Sequence, residues 1–201
     1  MTKKEQQKKL RREYKKKFFI DVRDIFIFLG FLFLIKIFIL DFGFVSGHSM
    51  EPNMKDGQII VIKKWNILFN EQEKGLHFYD KVALRNVRIE GVERPLSLAK
   101  RVIGLPGDKI KIKDGDIYRN GYKVDEHSIK EKAVQPNQTF VIKDNEIFVM
   151  GDNRNHSTDS RHFGPLPLNN VSGEISANFD AKWLSTFLLK TRTLVHLEPN
   201  L

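Results

Sequence analysis

Ser49 lies in the run Gly47-His48-Ser49-Met50-Glu51-Pro52, between a glycine, which tolerates unusual backbone angles, and a proline that halts regular structure. Such a turn can present a hydroxyl while aiming backbone N–H groups at one point, as a tetrahedral oxyanion requires. The same composition also makes ordinary turns. A serine hydroxyl needs a base at neutral pH. Among the six histidines, His48 adjoins Ser49, and adjacent side chains in an extended segment point to opposite faces. His156 and His162 belong to no evident histidine–carboxylate arrangement, and no HExxH zinc pattern or Ser-x-x-Lys beginning at Ser49 is present. Lys100 is the alternative base. It ends an apolar stretch from Leu96 and precedes Val102-Ile103-Gly104-Leu105-Pro106. Burial there disfavours the ammonium form, whereas a lysine at a strand edge keeps its head in solvent.

A third stretch, Gly151 to Gly164, follows the apolar strand Glu146 to Met150 and is dense in Asp, Asn, Ser and Arg. Asx turns and Asp–Arg pairs can fix such a loop in shape, and a hydroxyl from it can hold a neutral lysine in place. A solvated turn is the plainer alternative.

The elements that must position these residues are short and mostly β. Gln58 to Ile62 and Asp80 to Leu84 read as strands. Ile110 to Glu126 carries two hairpin signals, Asp114-Gly115 and Asn120-Gly121, and reads as a β meander inserted away from the chemistry. Ser128 to Gln138 reads as a loop.

Ahead of them, Ile25 to Leu40 is a sixteen-residue hydrophobic run with one charge, Lys36. A span needs about 20 apolar residues. Phe18 to Val22 extends the apolar reach, and Arg23 and Lys36 can snorkel to opposite interfaces. A spanning helix is the expectation, a buried core helix the alternative. No small-x-small cleavage site follows Leu40, which favours an uncleaved anchor over a removable signal peptide.

From Thr2 to Lys17 nine Lys and Arg face two Glu, so this leader holds 9 − 2 = +7 of the net charge of +9, and the other residues hold 9 − 7 = +2. A nearly neutral body is a poor nucleic-acid surface. The basic leader orients a span with its N-terminus in the cytoplasm. Cysteine is absent, which excludes disulfides and thiolate chemistry.

Gly47 to Pro52, Lys100 to Asp108 and Gly151 to Arg161, in this order behind one hydrophobic segment, resemble the bacterial type I signal peptidases from the anchor to about Glu174. The resemblance implies a mostly β, signal-peptidase-like catalytic domain. It implies a basic cytoplasmic leader over residues 1–24, a transmembrane signal anchor over 25–41 and an extracytoplasmic peptidase domain over 42–201 with a β insertion at about 109–145. The implied activity is a serine endopeptidase of the cell membrane that removes signal peptides from exported preproteins with a Ser-Lys dyad and no cofactor or metal. Partners would be signal peptides with small residues before the cut, and membrane lipid; no nucleic acid is expected, and the chain would act as a monomer.

Carried over residue by residue, Ser49 matches the nucleophile and Lys100 the base. Ser157 matches a serine that orients that lysine. Asp159 with Arg161, and Asp152 with Arg101, match two supporting pairs. Val45, Met50, Met54, Leu98 and Ala99 match residues lining shallow substrate pockets. Gly47 stands where some relatives have an oxyanion-hole serine and resembles the Gram-positive members. Asn53 replaces a commoner Thr and Asn155 a frequent Asp. Phe78-Tyr79-Asp80 replaces Arg-Gly-Asp, leaving that turn open.

Two other readings stand beside the enzyme. A membrane-anchored assembly factor of the same fold could dispense with catalysis, though such a factor would be marked by loss of Ser49 or Lys100. A self-cleaving Ser-Lys regulator would need a DNA-binding module that the leader is too short to supply. Trp65 to Phe69 reads as a membrane-dipping surface or as core packing. The tail from Phe179 reads as a peripheral helix or a strand end.

Overall fold

The structure is a computed structural model and describes residues 3–64, 75–134 and 136–180. Trp65 to Phe69 and the tail beyond Asp180 lie outside the described residues.

The chain divides into a unit ending at Ile39 and one beginning at Leu40. The first is helix α1, Lys3–Phe38. Its apolar side chains are uncovered around the helix: Phe18, Phe19, Ile25, Phe26, Ile27, Phe28, Phe31 and Phe33 are all exposed. Among the described residues no helix is long and apolar enough to cross a membrane. Two features shorten the run. Asp21, Arg23 and Asp24 interrupt it on one side, with Arg23 paired to Asp24 at 2.8 Å. On the other side the helix stops at Phe38, and Leu40 and Asp41 enter strand β1, opposite Lys63 and Ile62. The β unit therefore starts two residues before the expected Phe42, inside the segment expected to be anchor.

The second unit is mostly β. Strands β1 (Leu40–Phe44), β2 (Gln58–Lys63), β3 (Lys81–Val87), β4 (Leu96–Gly104), β9 (Glu146–Met150), β10 (Leu166–Pro167) and β11 (Val171–Asp180) form a seven-stranded sheet in the order β1-β2-β11-β3-β4-β9-β10. Strands β5 (Lys109–Lys113), β6 (Asp116–Arg119), β7 (Tyr122–Lys123) and β8 (Gln138–Val141) form a second sheet ordered β7-β6-β5-β8. The Asp114-Gly115 and Asn120-Gly121 hairpins have all four residues at positive φ, as two-residue turns of the right twist require.

Strand β4 organises the core. It is buried from Leu98 to Gly104 because both of its faces are covered, so its sequence runs apolar with little alternation. Leu98 and Val102 pack with Val82, Leu84 and Val149 in one cluster. Ala99 faces the other way, with Ala83, Ile60, Ile62 and Ile175. Burying a side chain such as Leu98 contributes about 1.5–3 kcal/mol.

The small sheet does not stand apart. Alternation in Lys-Ile-Lys-Ile-Lys of β5 exposes the lysines and buries Ile110 and Ile112, which pack with Ile117 and Ile142 against Ile103 of β4 and Phe148 and Met150 of β9. The meander expected to be remote from the chemistry is thus packed on the two strands that carry Lys100 and the polar loop. The turn between β4 and β5 is held by Asp108, which accepts from Leu105 N–H (2.8 Å), Arg119 Nε (2.6 Å) and Asn120 Nδ2 (2.7 Å).

Candidate active site

Ser49 begins a turn rather than continuing a strand. Glu51 N–H donates to His48 O at 3.1 Å and Met54 N–H to Met50 O at 2.9 Å. That single helical turn brings Met50 and Met54 to one side, where they join Val45 and Ala99 in the apolar cluster. Ser49 is left half-buried in the wall of an open cleft of about 460 Å³, shared with Gly47, Leu96, Asn153 and Ser157 among others. Gly47 has φ +97°, a conformation suited to glycine, and its N–H donates to Asp56 Oδ1 at 2.9 Å.

Lys100 is fully buried, in step along β4 with Leu98 and Val102, and its Nζ donates to Ser49 Oγ at 2.8 Å. Across a gap of 51 residues the fold therefore brings a serine hydroxyl and a buried lysine nitrogen to hydrogen-bond distance, the separation that proton transfer between such groups requires.

Beneath them lie two charge pairs. Arg101 meets Asp152 through two parallel bonds, Nε to Oδ1 at 2.7 Å and Nη2 to Oδ2 at 2.8 Å, with both side chains nearly inaccessible. Planar guanidinium and carboxylate match in this geometry. Asp152 also accepts from Asn53 Nδ2 at 2.8 Å. The ring of Tyr79 lies over the Arg101 guanidinium, 4.7 Å from its centroid, while the Tyr79 backbone sits at φ +76°. This resolves the turn that the sequence left open: the tyrosine accepts a left-handed conformation and covers a buried cation.

Asp159 and Arg161 form the second pair, Nε to Oδ1 and Nη2 to Oδ2, each at 2.8 Å. Asp159 also caps the short helix α2, Ser160–Phe163, and accepts from Gly151 N–H at 2.9 Å. Burial pushes its carboxyl up, but the bonds and charge of Arg161 and the Gly151 N–H outweigh this and hold it below the usual carboxylate range.

Ser157 is buried in the cleft wall, but its Oγ has no hydrogen-bond partner among the described residues. It packs on Gly151, where a Cβ would overlap both Ser157 Oγ and Ser49 O. Four of the expected pocket residues, Val45, Met50, Met54 and Ala99, come together; Leu98 joins the other core cluster. His48 is exposed and bonded to Glu51 Oε1 at 2.9 Å, with Lys130 on the other carboxylate oxygen. Among the described residues no group of three His, Asp or Glu side chains gathers to hold a metal ion.

Two residues escaped the sequence reading. Arg154 is fully buried and pairs with Glu126. Asn153, also buried, gives its N–H to Ser49 O at 3.0 Å and its Nδ2 to His48 O at 3.1 Å. An asparagine in a polar loop carries no sequence signal that distinguishes these bonds from an ordinary Asx turn.

The model of the family described as signal peptidase, peptidase S26, matches residues 20–180. The chain belongs to this family. It is thus a hydrolase, a serine endopeptidase of the signal peptidase I kind. It is 38% identical over 146 residues to a protein named signal peptidase I V of Bacillus subtilis, covering 66% of this chain and 81% of that one. It is 31% identical over 166 residues to signal peptidase IB of Staphylococcus aureus, covering 74% and 82%. A probable signal peptidase I-1 of Synechocystis is 29% identical over 170 residues, covering 81% and 85%.

Proposed function

We propose that this signal peptidase is anchored in the cell membrane by α1 and removes N-terminal signal peptides from exported preproteins, with Ser49 as nucleophile and Lys100 as general base. The observation that carries the reading is the 2.8 Å contact between Lys100 Nζ and Ser49 Oγ, with the amine wholly removed from solvent.

The chemistry follows from elementary requirements. Lys100, acting through its amine form, accepts the proton of Ser49 as Oγ attacks the scissile carbonyl. The tetrahedral oxyanion is held by backbone N–H, that of Ser49 included. Lys100 then protonates the leaving amine as the C–N bond breaks, leaving an acyl-enzyme. Water, deprotonated by the same amine, attacks the ester and frees Ser49. Asp152, Arg101, Asp159 and Arg161 support the loop and strand on which these groups sit, and Ser157 packs on Gly151 next to the Ser49 carbonyl.

The substrate enters as an added strand. Strand β4 pairs with β3 along its length, from Leu96 to Arg101, but its pairing with β9 begins only at Arg101. The other edge of Leu96 to Ala99 is therefore open to an extended peptide, and the segment Gly43 to Gly47 supplies the opposite wall. The apolar surface of Val45, Met50, Met54 and Ala99 is nearly closed, which favours small substrate side chains.

Anchoring is supported by the uncovered apolar residues of α1, which water does not favour. Phe18 to Phe38 is 38 − 18 + 1 = 21 residues, about 31 Å at 1.5 Å each, against a hydrocarbon core of about 30 Å; of the charged residues in it, Arg23 pairs with Asp24, while Asp21 and Lys36 lie near its two ends, where charged side chains reach the interface. The basic leader stays cytoplasmic and the β unit lies outside. A monomer suffices, since both catalytic groups come from one chain.

Incubating the purified chain with a model preprotein and weighing the products tests the reading. We expect one cut after a small residue at the end of the signal peptide; an uncut preprotein, or cuts scattered along the chain, would reject it.

A further inference from the structure

Asn153 combines near-complete burial, a place in the cleft wall and two bonds to the turn that carries Ser49. Its backbone N–H binds the carbonyl of Ser49 and its side-chain Nδ2 binds the carbonyl of His48, so both peptide units flanking the serine's Cα are tied to one residue. Its Oδ1 is buried without a hydrogen-bond partner among the described residues. A buried acceptor left unmet is a cost that calls for a compensating role, and the compensation lies in the donor half of the amide.

The peptide between His48 and Ser49 is trans, since the cis bond in this segment is Glu51–Pro52. In a trans peptide the C=O and the N–H point in opposite directions. Tying His48 O to Asn153 Nδ2 therefore fixes the Ser49 N–H to point away from Asn153. No described residue accepts a hydrogen bond from that N–H. The neighbouring donor that could share the task is occupied: Gly47 N–H is bonded to Asp56, and Gly47 has no side chain to offer one.

We propose that Asn153 is a positioning residue for the oxyanion hole: by holding the His48 carbonyl it aims the Ser49 amide at the oxygen of the tetrahedral intermediate. The inference rests on the Ser49–Lys100 reading. It makes the side-chain donor of Asn153 matter to the transition state and not to substrate binding, because the ground-state carbonyl needs the amide less than the oxyanion does.

The test uses the full chain in detergent and two variants, Asn153→Asp, which keeps the shape and removes the donors, and Asn153→Ala. Each is assayed on a preprotein and then titrated with a peptide aldehyde, which adds to Ser49 and creates an oxyanion, and with the matching unreactive peptide amide. We expect kcat to fall on the order of ten- to a hundredfold with KM within about twofold, as for weakened oxyanion stabilisation. Aldehyde affinity should fall by a comparable factor while the amide binds as before. Wild-type kcat in Asn153→Asp, or equal losses for aldehyde and amide, would overturn the proposal. Ser49→Ala separates the two levels: a dead Ser49→Ala beside a fully active Asn153→Asp defeats only the role of Asn153, whereas an active Ser49→Ala defeats the dyad itself.

Discussion

Asp159 has no exposed surface and accepts from the N–H groups of Gly151 and Arg161 and from two nitrogens of the Arg161 guanidinium. Removing one member of such a buried pair leaves an uncompensated charge, so Asp159→Ala should lose about 3–5 kcal/mol of stability, read from the urea midpoint. The pH dependence has a definite sign. The folded carboxyl titrates below its unfolded value, burial being outweighed by Arg161 and Gly151. Its stabilisation is therefore complete above the unfolded carboxylate value of about 4 and is lost as acid carries the pH down through the folded value. Asp159→Asn should be less stable than the parent at pH 7 and should lack this part of the acid loss; parallel stability curves for the two proteins below pH 4 would contradict it. Gly151 makes a second residue-scale case. A methyl there overlaps Ser157 Oγ and the Ser49 carbonyl, so Gly151→Ala should displace Ser49 and, on the proposed mechanism, lower kcat by about a hundredfold, as misplacement near 1 Å can do. An Ala variant with parental kcat would show the loop to be more yielding than its packing indicates.

Among the elements, β4 carries the most. It presents Lys100, pairs with β3, meets β9 only from Arg101 onward and supports the small sheet through Ile103. An extended inhibitor should slow hydrogen exchange of the amides in Leu96 to Ala99; exchange unchanged by the inhibitor would exclude strand addition at this edge. Packing of the small sheet on Phe148 and Met150 means that Ile117→Ala, far from the cleft in sequence, should cost about 2–5 kcal/mol. Strands β2, β3 and β9 and the β5 to β7 hairpins were legible because apolar runs and Asn-Gly and Asp-Gly turns are local signals, whereas β1 and β8 were not, Leu40 reading as anchor and Gln138 as loop. What β4 touches was not. Alternation assigns Leu98 and Ala99 to opposite faces without saying which face meets Met50 and Met54, and Leu98 fell on the other one. The same blindness made the β5 to β7 meander look remote from the chemistry. Ser49 and Lys100 could be singled out by residue type and setting, but their 2.8 Å contact depends on long-range pairing that no local pattern encodes. Asn153 was passed over for the same reason.

At the scale of the whole molecule, the two units have opposite surfaces. The β unit buries its apolar residues in three clusters, whereas α1 leaves phenylalanines open to its surroundings from Phe18 to Phe33. A chain starting at Leu40 keeps every strand, so it should melt cooperatively as the β unit does and no longer sediment with lipid vesicles; sedimentation equal to that of the full chain would place membrane affinity outside α1. The charge asymmetry was readable from the leader, because Lys and Arg counts need no structure, but the end of the helix was not: Ile39 and Leu40 are equally apolar, and only pairing of Leu40 with Lys63 makes it strand. The most direct measurement is the rate at which the full chain, reconstituted in vesicles, cuts a preprotein at its signal-peptide junction, compared with Ser49→Ala and Lys100→Met. Both variants should retain the parental fold by circular dichroism and show no cleavage above background. Turnover near the parental rate in either folded variant would contradict a serine activated by a buried amine.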